Sequence, residues 1–272
     1  MIFFFILLQI LTGGFSSLSW GNHDDQTTLS SPMVTIPHGE FIRGSGVGSG
    51  RPDERPQRNI YLHSYKIDTY EVSNKHYVQF LKSTGHKEPF NAFGKGPLSE
   101  QTGIEDLPVV QVTWNDAEDY CLWAGKRLPT EAEWEKAARG TDGRAFPWGD
   151  ASPSSTLSVY DREWRAGGAL LPVGTLPQGV SPYGVHNMSG NVREWVQDWY
   201  AKDYYAESPA RDPIGPDHGI LKVIRGGSWH SFEADIRASS RGKGGFALKT
   251  HGIGFRCAQD VSDNTKTMNR EP

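Results

Sequence analysis

The chain has 272 residues, with 28 Lys and Arg against 32 Asp and Glu, giving a formal charge of −4. That balance excludes a nucleic-acid binder held by bulk positive charge and a polybasic membrane-surface protein. A composition of 36% hydrophobic and 22% charged residues is neither that of a disordered acidic tail nor that of a multi-span membrane protein. The 31 Gly and 17 Pro beside nine Trp predict a loop-rich domain whose core is made of aromatic rings.

Residues 1–19 carry no charged side chain, and Ile2 to Leu11 is an apolar stretch followed by small residues at Ser17 and Ser19. This reads as a secretory signal peptide cleaved near Ser19, with an uncleaved anchor as the alternative. Residues 20–32 are polar and read as a disordered leader. From Met33, the alternating text MVTIPHGEFIRGS predicts a hairpin-like opening. A Gly- and Pro-rich loop follows over 44–58, then one or two strands in NIYLHSYKIDTYEVS.

Three short helices can be placed. Ser73 caps the first from Asn74, with Tyr77, Phe80 and Leu81 on one face and Gly85 ending it. Asn115, with Glu118 as its reciprocal partner, caps the second, whose inner face is Ala117, Tyr120, Cys121 and Ala124. Thr130 and Glu133 form a capping box for the third. Its acids Glu131, Glu133 and Glu135 favour the positive end, Lys136 and Arg139 the negative end, and Gly140 stops it. Beyond Gly140 the text predicts short strands joined by long loops, one domain over about 33–260, and a polar tail over 261–272.

The chain has two cysteines, Cys121 and Cys257. In an exported protein they allow one bridge; two buried free thiols or a reactive pair are the alternatives. Their wide spacing is unlike the CxxC arrangement of redox pairs, which turns the reading to the bridge.

Several strings are more specific than any of these patterns. DAEDYCLWAGKRLPTEAEWEKAARG, FPWGD, YGVHNMSGNVREWVQDWY, IRGGSWH and GIGFRCA follow one another in that order. With IPHGEFIRGS and YKIDTYEVSNKHYVQFL, the chain resembles the formylglycine-generating enzyme, or sulfatase-modifying factor, family over nearly its whole mature length. The resemblance implies an α+β, C-type lectin-like formylglycine-generating-enzyme/sulfatase-modifying-factor fold with little regular secondary structure. Its sulfatase-activating members oxidise a substrate cysteine with O₂, using two cysteines that hold copper just after an RGGS string. Here RGGS is Arg225 to Ser228, and the two cysteine positions fall at Ser231 and Ile236. A hydroxyl is a poor Cu(I) ligand and a hydrocarbon is none, so no copper is expected. The resemblance also places Cys121 and Cys257 where those relatives carry a structural disulfide.

The same resemblance marks Asn187, Gly190, Val192 and Glu194 as a Ca²⁺ loop, binding through an amide, two backbone carbonyls and a carboxylate. Hard oxygens on a glycine-curled backbone suit that ion; a tight turn with a solvated Glu194 is the alternative. A second calcium segment of the family maps to Ser158-Val159, which lacks the amide. The nine His show no HxxxH or HExxH spacing, so zinc and non-haem iron have no local support. His230, flanked by Ser228 and Ser231, is the imidazole nearest the expected cleft. Residues 222–256 hold seven Lys and Arg against Glu233 and Asp235. They serve either internal ion pairs or a groove for an anionic or peptide ligand. Trp195, Trp199 and Trp229 read as core rather than as a stacking platform.

The expectation is a periplasmic or secreted, calcium-stabilised family member without the copper thiols. It would serve as a binding or maturation factor for an unknown protein or peptide partner, with no nucleic acid and no stable membrane span after cleavage. The rivals are an oxidoreductase with a rebuilt site on Ser228, His230 and Ser231, and a carbohydrate-binding lectin-like module.

Overall fold

Strands in this chain pair mostly with distant partners. The computed structural model describes residues 31–89, 96–163 and 170–261; the segment read above as a signal peptide and nearly all of residues 20–32 and 261–272 lie outside them. Among these residues no helix is long and apolar enough to cross a membrane. Strand β1 (Met33–Ile36) lies antiparallel to β4 (Tyr65–Asp68), which also pairs with β9 (Ala258–Asp260). Strands β2 (Gly39–Arg43) and β3 (Arg58–Leu62) form a separate antiparallel ribbon. The opening is therefore no hairpin between β1 and β2. The alternation of 33–43 sets which side chains turn inward, but not which strand supplies the hydrogen bonds. The largest sheet has the order β7 (Arg241–Gly245), β6 (Leu221–Arg225), β5 (Arg193–Trp199), β8 (Ile253–Phe255). Pro32, assigned above to the leader, already accepts a hydrogen bond from Thr69 N at 2.8 Å.

Helix α1 (Asn74–Thr84) ends at Gly85 with φ 68°, as its glycine signal predicts. Ser73 precedes it, but its hydroxyl meets His76 Nδ1 at 2.7 Å instead of a backbone N–H. Helix α2 (Trp114–Trp123) starts two residues before Asn115 would cap it, because Thr113 and Asp116 complete a capping box of their own. That register buries Trp114, whose Nε1 donates to Val196 O at 2.8 Å. Helix α3 (Glu131–Arg139) has the Thr130–Glu133 box and the Gly140 stop. The only other α-helix among the described residues is the single turn α4 (Tyr204–Glu207).

Tyr77, Phe80, Tyr120, Trp195 and Phe255 pack between α1, α2 and the large sheet. Their ring pairs include the edge-on Tyr120–Phe255 contact, with centroids 5.3 Å apart. Cys121 of α2 is bonded to Cys257, with Cα atoms 5.6 Å apart, so the bridge reading holds.

Helix α3 departs from its sequence reading. All of its residues are buried, and its acids answer arginines rather than the helix dipole. Glu131 accepts from Arg43 at 3.1 Å, from Arg225 at 3.1 Å and from Arg241 Nε at 2.7 Å. Glu135 accepts from Arg225 at 2.8 Å, Arg139 at 3.0 Å and the Tyr205 hydroxyl at 2.8 Å. Buried charge persists only when so compensated. This network locks α3 to β2, β6 and β7 and sets the position of the turn that follows β6.

Candidate functional site

Strand β6 runs out at Arg225 into Gly226 and Gly227, with φ of 88° and 68°. A Cβ on Gly227 would stand 2.6 Å from Ile236 Cγ2, so only glycine lets the chain reverse against that side chain. The next residues close on themselves. Ser231 N donates to Ser228 O at 2.9 Å, and Ser228 N donates to Ser231 Oγ at 3.0 Å. Ser228 Oγ lies 3.1 Å from His230 Nδ1 and 3.3 Å from Ser231 Oγ.

Ser228, His230, Ser231 and Ile236 thus come together, but not as an open nucleophilic site. Relative exposure is 0% for Ser228, 2% for Ser231 and 0% for Ile236. The Ile236 carbonyl is taken by Ser189 Oγ at 2.6 Å. The His230 ring is exposed. Burial of its inner edge, with Arg193 and His251 nearby, holds its pKa below the usual imidazole value, so it is neutral at neutral pH. Among the described residues no carboxylate bonds that ring, so a hydroxyl–imidazole–carboxylate relay is not assembled.

Sequence reasoning missed Arg193, which donates to Ser231 Oγ at 3.1 Å. It lies inside the quoted NVREW string, but only the fold shows that it reaches the turn. Arg193, Arg51, Asp235, Gly226 and Gly227 line a small cleft of about 20 Å³. This opens onto a groove of about 400 Å³ lined by Arg51, Asp53, Tyr200, Lys202 and Lys243. Most of the basic run of 222–256 is spent internally. Arg225 and Arg241 hold Glu131, Arg237 holds Glu54 at 2.8 Å, and Arg256 holds Glu194 at 2.8 Å. Trp195 and Trp229 are buried, and Trp199 carries the Lys222 ammonium 3.9 Å from its ring centre, so none forms a stacking platform.

The loop expected to bind calcium is held by a second acid, Glu71. Asn187 Nδ2 donates to Glu71 Oε2 at 2.7 Å, and Asn191 Nδ2 donates to Glu71 Oε1 at 3.0 Å. Asn187 and Asn191 have φ of 56° and 59°, and Gly190 86°. Gly190 also bridges to Val159, which places Ser158-Val159 beside the loop. Glu194 is not solvated as the turn reading has it. It is fully buried, with Arg256 donating to both oxygens at 2.8 Å and Trp134 Nε1 to one at 2.7 Å. Burial pushes the Glu71 carboxyl up to about 8 against the pull of Arg256, and Glu194 adds repulsion. The two buried acids lie in the field of one guanidinium, which bonds Glu194 alone while Glu71 is held by the Asn187 and Asn191 amides; their oxygens are of the hard kind that a divalent cation takes. Among the described residues no group of three His, Cys, Asp or Glu side chains forms a metal cluster; the loop would rely on amide and backbone oxygens as well.

The sequence profile described as "Sulfatase-modifying factor enzyme 1-like domain" matches residues 21–261. The formylglycine-generating enzyme of Streptomyces coelicolor is 36% identical over 286 residues, covering 84% of this chain and 89% of its own. The inactive Cα-formylglycine-generating enzyme 2 of Mus musculus is 30% identical over 280 residues, covering 84% and 86%. The serine/threonine-protein kinase Pkn1 of Chlamydia trachomatis is 37% identical over 248 residues; this chain spans only 39% of that relative's length. Among solved structures, PvdO from Pseudomonas aeruginosa superposes with a TM-score of 0.72 at 27% identity, covering 84% of this chain and 94% of that one.

Proposed function

Because the chain belongs to the sulfatase-modifying factor family and has its C-type lectin-like α+β fold, we propose that it is an exported binding or maturation factor for a partner protein. It is not, on this reading, a formylglycine-generating oxidase. The observation that carries the reading is the closed turn after Arg225-Gly226-Gly227. The positions that the family resemblance gives to copper-binding thiols are here Ser231 and Ile236, both buried and packed. The chain's two cysteines are bonded to each other instead. Soft thiolates are what Cu(I) needs, and none remains to supply them. A relative named as inactive supports the idea that this fold persists without the chemistry. The disulfide suits an oxidising compartment such as the periplasm or the extracellular space.

The test is oxygen uptake with a cysteine-containing sulfatase-type peptide, with and without added copper. No turnover above the peptide's own oxidation is expected. Catalytic oxygen consumption, with Ser228→Ala or His230→Ala abolishing it, would establish the rebuilt oxidoreductase in its place.

Calcium belongs to the same proposal. Asn187, Gly190, Val192 and Glu194 would hold it, with Glu71 as the further acid, and the ion would fix the loop that leads into β5. Dialysis against EDTA should then lower the melting temperature. Restoring calcium at about 100 times its dissociation constant should recover about 2.7 kcal/mol, on the order of 5–10 °C for a domain of this size. Glu71→Gln should lose the calcium response. A melting temperature that ignores both EDTA and calcium would remove the ion from the account.

A further inference from the structure

The groove beside the closed turn has an unbalanced charge and a bare backbone wall. Arg51 is ion-paired with Asp235, and Arg241 is consumed by Glu131 and by the carbonyls of Asp53 and Ala201. Three further cations face the groove and its cleft. Arg193 has Ser231 Oγ as its hydrogen-bond partner. Lys243 lies with Nζ 4.3 Å from the Tyr200 ring centre, and Lys202 is exposed. Among the described residues none of these three forms an ion pair, while Asp53 at the groove accepts from the Tyr200 hydroxyl at 2.7 Å. A local positive groove on a chain of net charge −4 selects a short acidic segment and repels a long polyanion.

The second observation is the wall itself. Strand β7 is at the edge of the four-stranded sheet, with β6 on its other side. Its consecutive residues Arg241, Gly242 and Lys243 all line the groove. Arg241 and Lys243, two residues apart, turn to the same face over Tyr200, and Gly242 between them has no side chain, so the backbone of this edge strand lies bare at the groove. Gly242, Gly244 and Gly245 leave that edge thin, which lets a second backbone approach closely. Lys243, the usual guard of a free edge, is laid onto Tyr200.

Building on the accessory-factor reading, we propose that the partner presents an extended, Asp- and Glu-rich segment that adds as a strand along β7. Its backbone pairs with the β7 edge, and its carboxylates meet Lys202, Lys243 and Arg193. Main-chain hydrogen bonds then supply affinity and the cations supply choice of sequence.

Fluorescence polarisation with the full mature chain tests this. The probe is a labelled ten-residue peptide alternating Glu with Val, at low salt. It should bind, and Lys202→Glu with Lys243→Glu, both exposed and outside the core, should weaken it by about tenfold or more. The same peptide N-methylated at alternate residues, which keeps the charge but cannot pair as a strand, should weaken similarly. No binding, binding unchanged in the double variant, an N-methylated peptide as tight as its parent, or tighter capture of a heparin-derived oligosaccharide overturns the proposal. Those failures concern the groove alone, since the accessory reading stands or falls on oxygen uptake.

Discussion

Replacing Glu131 with Gln is expected to destabilise the fold by about 3–5 kcal/mol, the usual cost of breaking a buried ion pair from one side. The substitution keeps shape and removes one charge. Arg43, Arg225 and Arg241, each at most 2% exposed, would then lose the acid that all three share, leaving Glu135 to Arg225 and Arg43 and Asp53 to Arg241. Burial opposes ionisation of Glu131, but Arg241, Arg225 and Arg43 outweigh it and hold the carboxyl at about 2, below its ordinary 4.5. A depressed folded-state pKa contributes stability that is present above about 4.5 and is lost as pH falls toward about 2. Thermal melts should therefore show wild type and Glu131→Gln far apart at neutral pH, by on the order of 10 °C, and converging as acid approaches pH 2. A variant within about 1 kcal/mol of wild type at pH 7 would mean that the arginines find other partners. Adding Arg241→Met to Glu131→Gln should recover part of the loss, since it withdraws one of the stranded cations.

The same residue shows what a sequence can and cannot disclose. The capping box of α3 was legible because Thr130 and Glu133 satisfy each other within one turn. Glu131 and Glu135 in that turn also read as helix-dipole acids, a local explanation that is complete on its own terms. The arginines of Glu131 come from 88 to 110 residues away, as does Arg225 to Glu135, and nothing in a local pattern announces them; only the Glu135–Arg139 pair is local. The start of α2 was placed two residues late for a related reason. Thr113–Asp116 and Asn115–Glu118 are equivalent capping pairs on paper, and the choice between them is made by where Trp114 is buried. The family strings pointed to the glycine turn, where the fold brings Ser228, His230, Ser231 and Ile236 together. What they could not give was exposure. A Ser and a His two residues apart invite a catalytic reading until the hydroxyl proves to be fully buried. Arg193 and Glu71 escaped notice because each becomes meaningful only through a contact across the fold.

Removing the Cys121–Cys257 bridge is the second large effect, and its origin is different. The bond closes a separation of 136 residues, which in the chain-entropy account is worth about 5 kcal/mol, exerted on the unfolded chain. The folded geometry does not depend on it alone. Cys257 N donates to Asp68 Oδ2 at 3.0 Å, Asp68 N donates back to Cys257 O at 2.9 Å, and Lys126 holds Asp68 at 2.6 Å. Cys121→Ala with Cys257→Ala should accordingly keep the native near-ultraviolet spectrum while its denaturation midpoint falls by an amount equivalent to about 4–5 kcal/mol. Reductant should lower the wild-type midpoint and leave the double variant unmoved. Thiol titration of the denatured, unreduced protein should find no free sulfhydryl. A wild-type midpoint indifferent to reduction, or one to two titratable thiols, would show the bridge absent in solution. It would also return two sulfur ligands to a chain that otherwise offers only hydroxyl and hydrocarbon at its glycine turn, so the stability measurement bears directly on the function.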